Sequence, residues 1–388
     1  MARPADRVSL VAAERADGAR HRRPARLLQD AAPTMQAQRP APPPRTHVFI
    51  IDGTLSSTEH GQETHAGALW RLLTEGGATA RQSVGYHPGV QGVGLRRWFR
   101  AATGAGLNDA IRTGYGYLAS HWRPGDTILL FGYSRGAYAA RSLAGLIDQV
   151  GLVRRRHAIQ RRMARAFRHY KAGRTASAQA FSHTFCHPET PVDAIFAWDT
   201  VKALGLPLPG LSRFHPMAHE FHNDALGRNI RAGFHALAAD EDRTAFAPLM
   251  WTRAPDWTGR LEQMWFPGAH PDIGGDVSGF DEARPLANLS MVWMLEKAQS
   301  CGLILPERWR DRFPVDPAAP MYGAHRGLAK AFVLHRRRRV WQGDGERVSP
   351  TIAARMAAVP GYRPRASGLD TIGGKAAASP LATMTPAQ

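Results

Sequence analysis

From residue 46 the chain alternates short apolar runs with stretches of helical periodicity. Thr46-His47-Val48-Phe49-Ile50-Ile51 has the length and composition of a buried strand, and Asp52-Gly53-Thr54 turns the chain at its C-terminal end. A helix is predicted around His65 to Leu73, and a second strand near Gln82 to Tyr86. Pro88-Gly89 opens a glycine-punctuated loop that runs to Gly94. Leu107 to Trp122 reads as a helix, closed by the turn Pro124-Gly125-Asp126. A strand from Asp126 to Phe131 then runs through Gly132-Tyr133-Ser134-Arg135-Gly136 into a small-residue helix, Ala137 to Ile147. An arginine-rich helical segment continues to about Gly173. Val192 to Trp198 is a further strand, followed by a polar, Pro-rich excursion from Gly205 to Asn229. Phe234 to Ala238 fits a short strand or the end of a buried helix, which periodicity does not separate. Met264-Trp265-Phe266 is an apolar strand, and Leu286 to Ser300 a helix with Leu289, Val292, Trp293 and Leu295 on its apolar face. Beyond Pro306 the pattern weakens.

Strands and helices in this order predict an α/β fold with a mostly parallel sheet and helices on both faces. The expected organisation is a disordered basic, Pro- and Arg-rich tail over residues 1–45 and a single catalytic domain over 46–305. A helical extension packed on that domain over 306–375 and a frayed tail over 376–388 complete it. In such sheets ligands bind beyond the C-terminal strand ends. Asp52, Ser134, Asp199 and His270 each directly follow a predicted strand, which points to one shared site.

Gly132 to Gly136 is a G-x-S-x-G sequence between a strand and a helix, the context of a nucleophile elbow in an α/β-hydrolase-like fold. The sharp turn needs glycine two residues to either side of the serine, and it lifts the hydroxyl above the sheet. A serine nucleophile needs a base, and the base needs an orienting carboxylate, in chain order Ser, then Asp or Glu, then His. Of 17 histidines, His270 is the best placed, in a Pro-Gly loop after the last strong strand, with His235 as runner-up. Asp199 is the favoured acid and Asp240 the alternative, while Asp272, two residues from His270, is expected to shape the loop. The expected oxyanion donors are the Arg135 N–H and a second N–H from Gly53 or Thr54, with Asp52 bracing that loop. Asp52-Gly53-Thr54 also evokes a phosphatase aspartate, but Ile50 stands where that nucleophile belongs. This chemistry requires neither metal nor organic cofactor.

Composition adds three constraints. No apolar run is long enough to cross a membrane, and no secretory signal is visible, so a cytoplasmic protein is expected. The two cysteines, Cys186 and Cys301, make neither a disulfide framework nor a metal-binding spacing. The net charge of +18 invites an anionic partner, but no pattern for specific nucleic-acid reading is present. Two arginine clusters carry much of that charge. One runs from Arg154 through Arg168 with Leu152, Ile159, Met163 and Phe167 interleaved, and the other is Arg336 to Arg339. The first suits either a solvated helix face or an amphipathic helix in peripheral contact with an anionic membrane.

Gly132-Tyr133-Ser134-Arg135-Gly136-Ala137 resembles the elbow of the type VI secretion phospholipase effectors and their α/β-hydrolase relatives. Ile51-Asp52-Gly53-Thr54, Trp198-Asp199-Thr200-Val201 and Gly268-Ala269-His270-Pro271-Asp272-Ile273-Gly274-Gly275 match further motifs of that family in the right order, over about residues 46–300. Lys202, Pro271 and Leu55 depart from the family pattern at a glycine, a serine and an aromatic position. The resemblance implies a Ser134–Asp199–His270 triad acting on acyl esters, phospholipid foremost, and delivery by a type VI secretion system. The chain has little room for the large insertions of some effectors, which favours a housekeeping esterase as the competing role. The competing class is a non-catalytic protein of the same fold that docks anionic lipid or nucleic acid through its arginines.

Overall fold

The computed structural model describes residues 43–53, 63–75, 81–89, 105–201, 225–324 and 334–369. The expected C-terminal tail, all but residues 43–45 of the N-terminal one, Thr54, and most of the Pro-rich excursion lie outside them. Seven parallel strands form one sheet in the order β2-β1-β3-β4-β5-β6-β7. They are β1 (Thr46–Ile51), β2 (Gln82–His87), β3 (Thr127–Tyr133), β4 (Ala194–Trp198), β5 (Ala232–Ala238), β6 (Arg260–Phe266) and β7 (Glu346–Val348). Every residue of β1, β4 and β5 is buried, as expected of strands covered on both faces.

Alternate residues of each strand feed two cores. On one face Phe49, Ile51, Ile128, Leu130 and Ile195 pack against α2 (Ala105–His121), α3 (Arg135–Val150), α4 (Gln160–Ala172) and α5 (Ala176–Phe185). On the other, Val48, Ile50, Leu129 and Phe131 meet α1 (His65–Thr74) and α7 (Arg284–Ser300); the short α6 (His270–Gly274) adds Ile273. Phe131, Phe196 and Phe234 stack face to face across β3, β4 and β5, with ring centroids 4.4 and 5.2 Å apart. The stretch from Phe234 to Ala238, ambiguous in sequence, is strand because it pairs on both sides, with β4 and with β6.

Two expectations differ from the structure. The arginine-rich segment is not one helix. Gly151, at φ +86°, ends α3, and a single 3₁₀ turn at Arg155–His157 precedes α4. Leu152 therefore lies outside α4, and Ile159 is its N-cap and 51% exposed. Only Ala166, Phe167 and Tyr170 bury its inner face. The segment 306–375, expected to be a helical extension, contains one α-helix among its described residues, α8 (Pro350–Ala358), and contributes strand β7 to the sheet. Three residues, Glu346-Arg347-Val348, are too few to carry a periodic signal. β7 forms by pairing with β6, and the Glu346 carboxylate at its start accepts the N–H groups of Trp341, Gln342 and Gly343 and the Trp265 indole N–H.

Candidate active site

Ser134 stands between β3 and α3 at φ +58° and ψ −121°, a conformation that L-residues rarely adopt. Two glycines permit it. A Cβ on Gly132 would lie 2.4 Å from the Gly136 carbonyl oxygen and 2.6 Å from the Ala137 backbone. A Cβ on Gly136 would lie 2.3 Å from the Ile51 carbonyl oxygen. The turn is tied to the next strand by the Ser134 N–H, which donates to the Trp198 carbonyl at 2.9 Å. It places the serine hydroxyl at the N-terminus of the 16-residue α3, where the aligned peptide dipoles favour negative charge.

His270 is the first residue of α6 and is held from three sides. Its backbone N–H donates to Glu241 Oε2 at 3.1 Å, and its carbonyl accepts from the Tyr133 hydroxyl at 3.3 Å. Its ring stacks on Tyr133 at 5.0 Å and packs against Phe246 at 4.8 Å. Nε2 lies 2.8 Å from Ser134 Oγ and Nδ1 lies 2.6 Å from Asp199 Oδ2. An ionised carboxylate only accepts, so Nδ1 carries the proton and Nε2 is left to accept from the serine hydroxyl.

Asp199 follows β4 at φ +42° and is wholly buried. Its Oδ1 accepts the Ala238 N–H at 3.1 Å and Arg338 Nη1 at 2.6 Å; its Oδ2 accepts Arg338 Nη2 at 2.8 Å in addition to His270. Burial alone would raise the Asp199 carboxyl, but the Arg338 guanidinium outweighs it, with His270 assisting. The group is held well below the usual carboxylate range and stays ionised.

The remaining candidates fall elsewhere. Asp240 makes no contact with the imidazole; it accepts from Gly268 N–H at 2.7 Å, Tyr362 Oη at 2.8 Å and Arg365 N–H at 3.1 Å. It braces the loop that carries His270. His235 is a core residue, accepting the Thr200 N–H through Nε2 at 2.9 Å and meeting Gln263 through Nδ1 at 3.2 Å. Asp272 shapes the loop, accepting backbone N–H groups of Ala269, Tyr322 and Gly323. Asp52 is buried and accepts from the Thr64 and Tyr86 hydroxyls at 2.7 Å each.

Of the expected oxyanion donors, the Arg135 N–H opens α3 and has no acceptor within its helix. The Gly53 N–H donates to Asp52 Oδ1 at 2.6 Å and is engaged in this structure. Thr54 lies outside the described residues. Burial pushes the Arg135 guanidinium down to about 10, which leaves it cationic at neutral pH.

Three contributors have no signature in the sequence. Arg338 lies 139 positions from Asp199, within a four-arginine run whose other members, Arg336, Arg337 and Arg339, are exposed. Glu241 and Arg243 form a buried pair in which Arg243 Nε and Nη2 donate to the carboxylate at 2.7 and 2.6 Å. Burial would raise Glu241, but Arg243 holds it lower, so an anion supports the His270 backbone. Arg243 in turn lies over Phe246, 3.9 Å from the ring centre.

Residues 45–297, well over half of the chain, match the family model for the catalytic domain of type VI secretion Tle1-like phospholipase effectors. The chain belongs to the Tle1-like catalytic-domain family. That family is one of phospholipase effectors. The Tle1-like match ends before residue 338, so Arg338 lies outside it. An uncharacterized protein of Saccharomyces cerevisiae, YEL023C, is 26% identical over 235 residues, or 54% of this chain; the chain spans a third of that protein's length. An uncharacterized protein from Pseudomonas aeruginosa is similar at 15% identity and a TM-score of 0.44, over 74% of this chain and half of that one. The Tle1 effector bound to the VgrG spike is similar at 20% identity and a TM-score of 0.34, over 60% of this chain and 52% of that one.

Proposed function

We propose that this Tle1-like domain is a serine hydrolase that cleaves acyl esters of phospholipids. The observation that carries the reading is the unbroken chain of hydrogen bonds from Ser134 through His270 to Asp199, mounted on a strained elbow. Ser134 Oγ attacks the ester carbonyl while His270 Nε2 takes its proton; the imidazole then returns that proton to the leaving alcohol. Asp199 keeps Nδ1 protonated and stabilises the imidazolium. The Arg135 N–H, at the positive end of α3, holds the developing oxyanion, and the 53–54 loop supplies a second donor once Gly53 turns from Asp52 or through Thr54. Water repeats the attack on the acyl-enzyme.

Phospholipid as substrate and delivery by a type VI secretion system rest on the family match. No helix among the described residues is long and apolar enough to cross a membrane. Exposed Arg155, Arg161, Arg165 and Arg168 offer peripheral contact with an anionic bilayer. The test is release of fatty acid from mixed anionic and zwitterionic vesicles, with fluorophosphonate labelling alongside. Release and labelling that both vanish in Ser134→Ala establish the hydrolase. A folded wild type that neither labels nor cleaves lipid or short esters would instead be a binding protein built on a hydrolase fold.

A further inference from the structure

Arg338 meets the carboxylate of Asp199 with both ends of its fork, Nη1 to Oδ1 and Nη2 to Oδ2. The same two nitrogens donate to the carbonyls of Ala238 at 3.1 Å and Phe246 at 2.6 Å, which fixes the guanidinium plane. Its Nε, by contrast, is buried with no acceptor among the described residues. The side chain is thus oriented for the carboxylate at the expense of its own remaining N–H. Its backbone is equally constrained. The Arg338 carbonyl accepts the Ser367 N–H at 2.9 Å, Arg336 N–H donates to the Asp242 carbonyl at 2.6 Å, and Ala366 N–H donates to the Ala239 carbonyl at 2.8 Å. The segment after β6 is therefore clamped onto the loop that follows β5, with the buried Arg338 cation facing inward.

We propose that Arg338 is a positioning residue for the Ser134–His270–Asp199 site, and that the C-terminal segment carrying it completes the hydrolytic machinery from outside the family domain. The inference rests on the serine-hydrolase reading. Fork-to-fork pairing admits one rotation of the Asp199 carboxylate, and that rotation aims Oδ2 at His270 Nδ1. Arg338 also keeps the carboxylate ionised in a fully buried place where desolvation favours the neutral acid. A protonated Asp199 would no longer select the imidazole tautomer that leaves Nε2 free to accept. Other ionisable groups stand further off. Tyr133 and His235 face Asp199, while Glu241 and Asp276 face His270.

The test compares wild type, Arg338→Ala and Arg338→Lys on p-nitrophenyl butyrate across pH, with thermal melting as the control for folding. In Arg338→Ala the expected loss is about 100-fold in kcat with KM changed by less than about threefold, because the residue acts through Asp199 and touches no substrate. The acid limb of the profile moves to higher pH, since Asp199 takes up its proton more readily once the cation is gone. Guanidinium ion at about 50 mM restores at least about tenfold of the loss by filling the vacated place. Arg338→Lys supplies charge without the fork and falls between the two, which keeps the test open if the alanine variant does not fold. A folded Arg338→Ala with kcat within about threefold of wild type and an unmoved acid limb overturns the proposal, as does a lysine variant indistinguishable from wild type. If wild type itself shows no Ser134-dependent turnover, the hydrolase reading fails first and takes this one with it.

Discussion

Replacing Asp199 by Asn separates the two acids near His270 and has a magnitude that follows from their partners. Asp199 Oδ1 receives two donors, the Ala238 N–H and Arg338 Nη1, and Oδ2 receives two more, His270 Nδ1 and Arg338 Nη2. An asparagine has one acceptor oxygen and one NH₂, so one of those pairs must face a donor. The backbone N–H of Ala238 cannot move, which places the amide oxygen at the Oδ1 position and the NH₂ against His270. Nδ1 must then accept, the ring proton shifts to Nε2, and the serine hydroxyl loses its base. The equivalent change in a well-studied triad costs about 10⁴ in kcat, or about 5 kcal/mol of transition-state stabilisation. The same NH₂ also faces Arg338 Nη2, leaving a buried guanidinium half-paired, so the fold should lose about 3–5 kcal/mol as well. Turnover of p-nitrophenyl butyrate by folded protein measures the first effect and urea unfolding the second. Asp240→Asn is the companion variant. Its partners are two backbone N–H groups and a hydroxyl, none of them on the imidazole, so kcat should change by less than about fivefold. A folded Asp199→Asn within tenfold of wild type, or an Asp240→Asn that loses more than about a hundredfold, refutes the assignment.

Other perturbations reach different parts of the molecule. Gly132→Ala drives a methyl into backbone 2.4–2.6 Å away, so it should destabilise the fold by at least about 2 kcal/mol and abolish fluorophosphonate labelling; labelling at the wild-type rate would contradict the elbow geometry. Asp272→Asn keeps its amide oxygen toward the N–H groups of Ala269 and Gly323 only by pointing its NH₂ at the Tyr322 N–H, and should cost about 1–3 kcal/mol by urea unfolding. Burial pushes His65 and His235 down to about 3 from an ordinary value near 6.5. Between those values the unfolded chain binds more protons than the folded one, so stability falls as pH drops below about 6.5. Each histidine contributes a slope of up to ~1.4 kcal/mol per pH unit, and His235→Gln should remove its share of the slope measured by urea unfolding between pH 6 and 4.

The sheet was largely legible because its strands announce themselves as continuous apolar runs that end in glycine, proline or aspartate. β1, β3 and β4 lie within two residues of their expected bounds. That Ser134, Asp199 and His270 lie together is legible for a related reason: a parallel sheet brings its C-terminal strand ends to one edge. β7 was not legible, since a three-residue edge strand has no periodicity to detect. Arg338 was invisible for a second reason. Composition treats a run of four arginines as surface charge, and nothing in the run distinguishes the member whose backbone is clamped inward. Glu241 and Arg243 share that difficulty, because a buried ion pair two residues apart looks like any solvated turn.

The clamp made by the last described segment also has a meaning in time. A ribosome delivers Ser134, Asp199 and His270 well before it delivers Arg338 and the edge strand that follows. Until then, the sheet lacks β7 and Asp199 lacks the guanidinium that pairs with it. A domain generally folds as a unit, so in the interval before that segment emerges Ser134, Asp199 and His270 exist without the arginine that pairs with Asp199. On the serine-hydrolase reading, the order of the residues along the chain thus sets a delay between making the nucleophile and completing the setting of its acid.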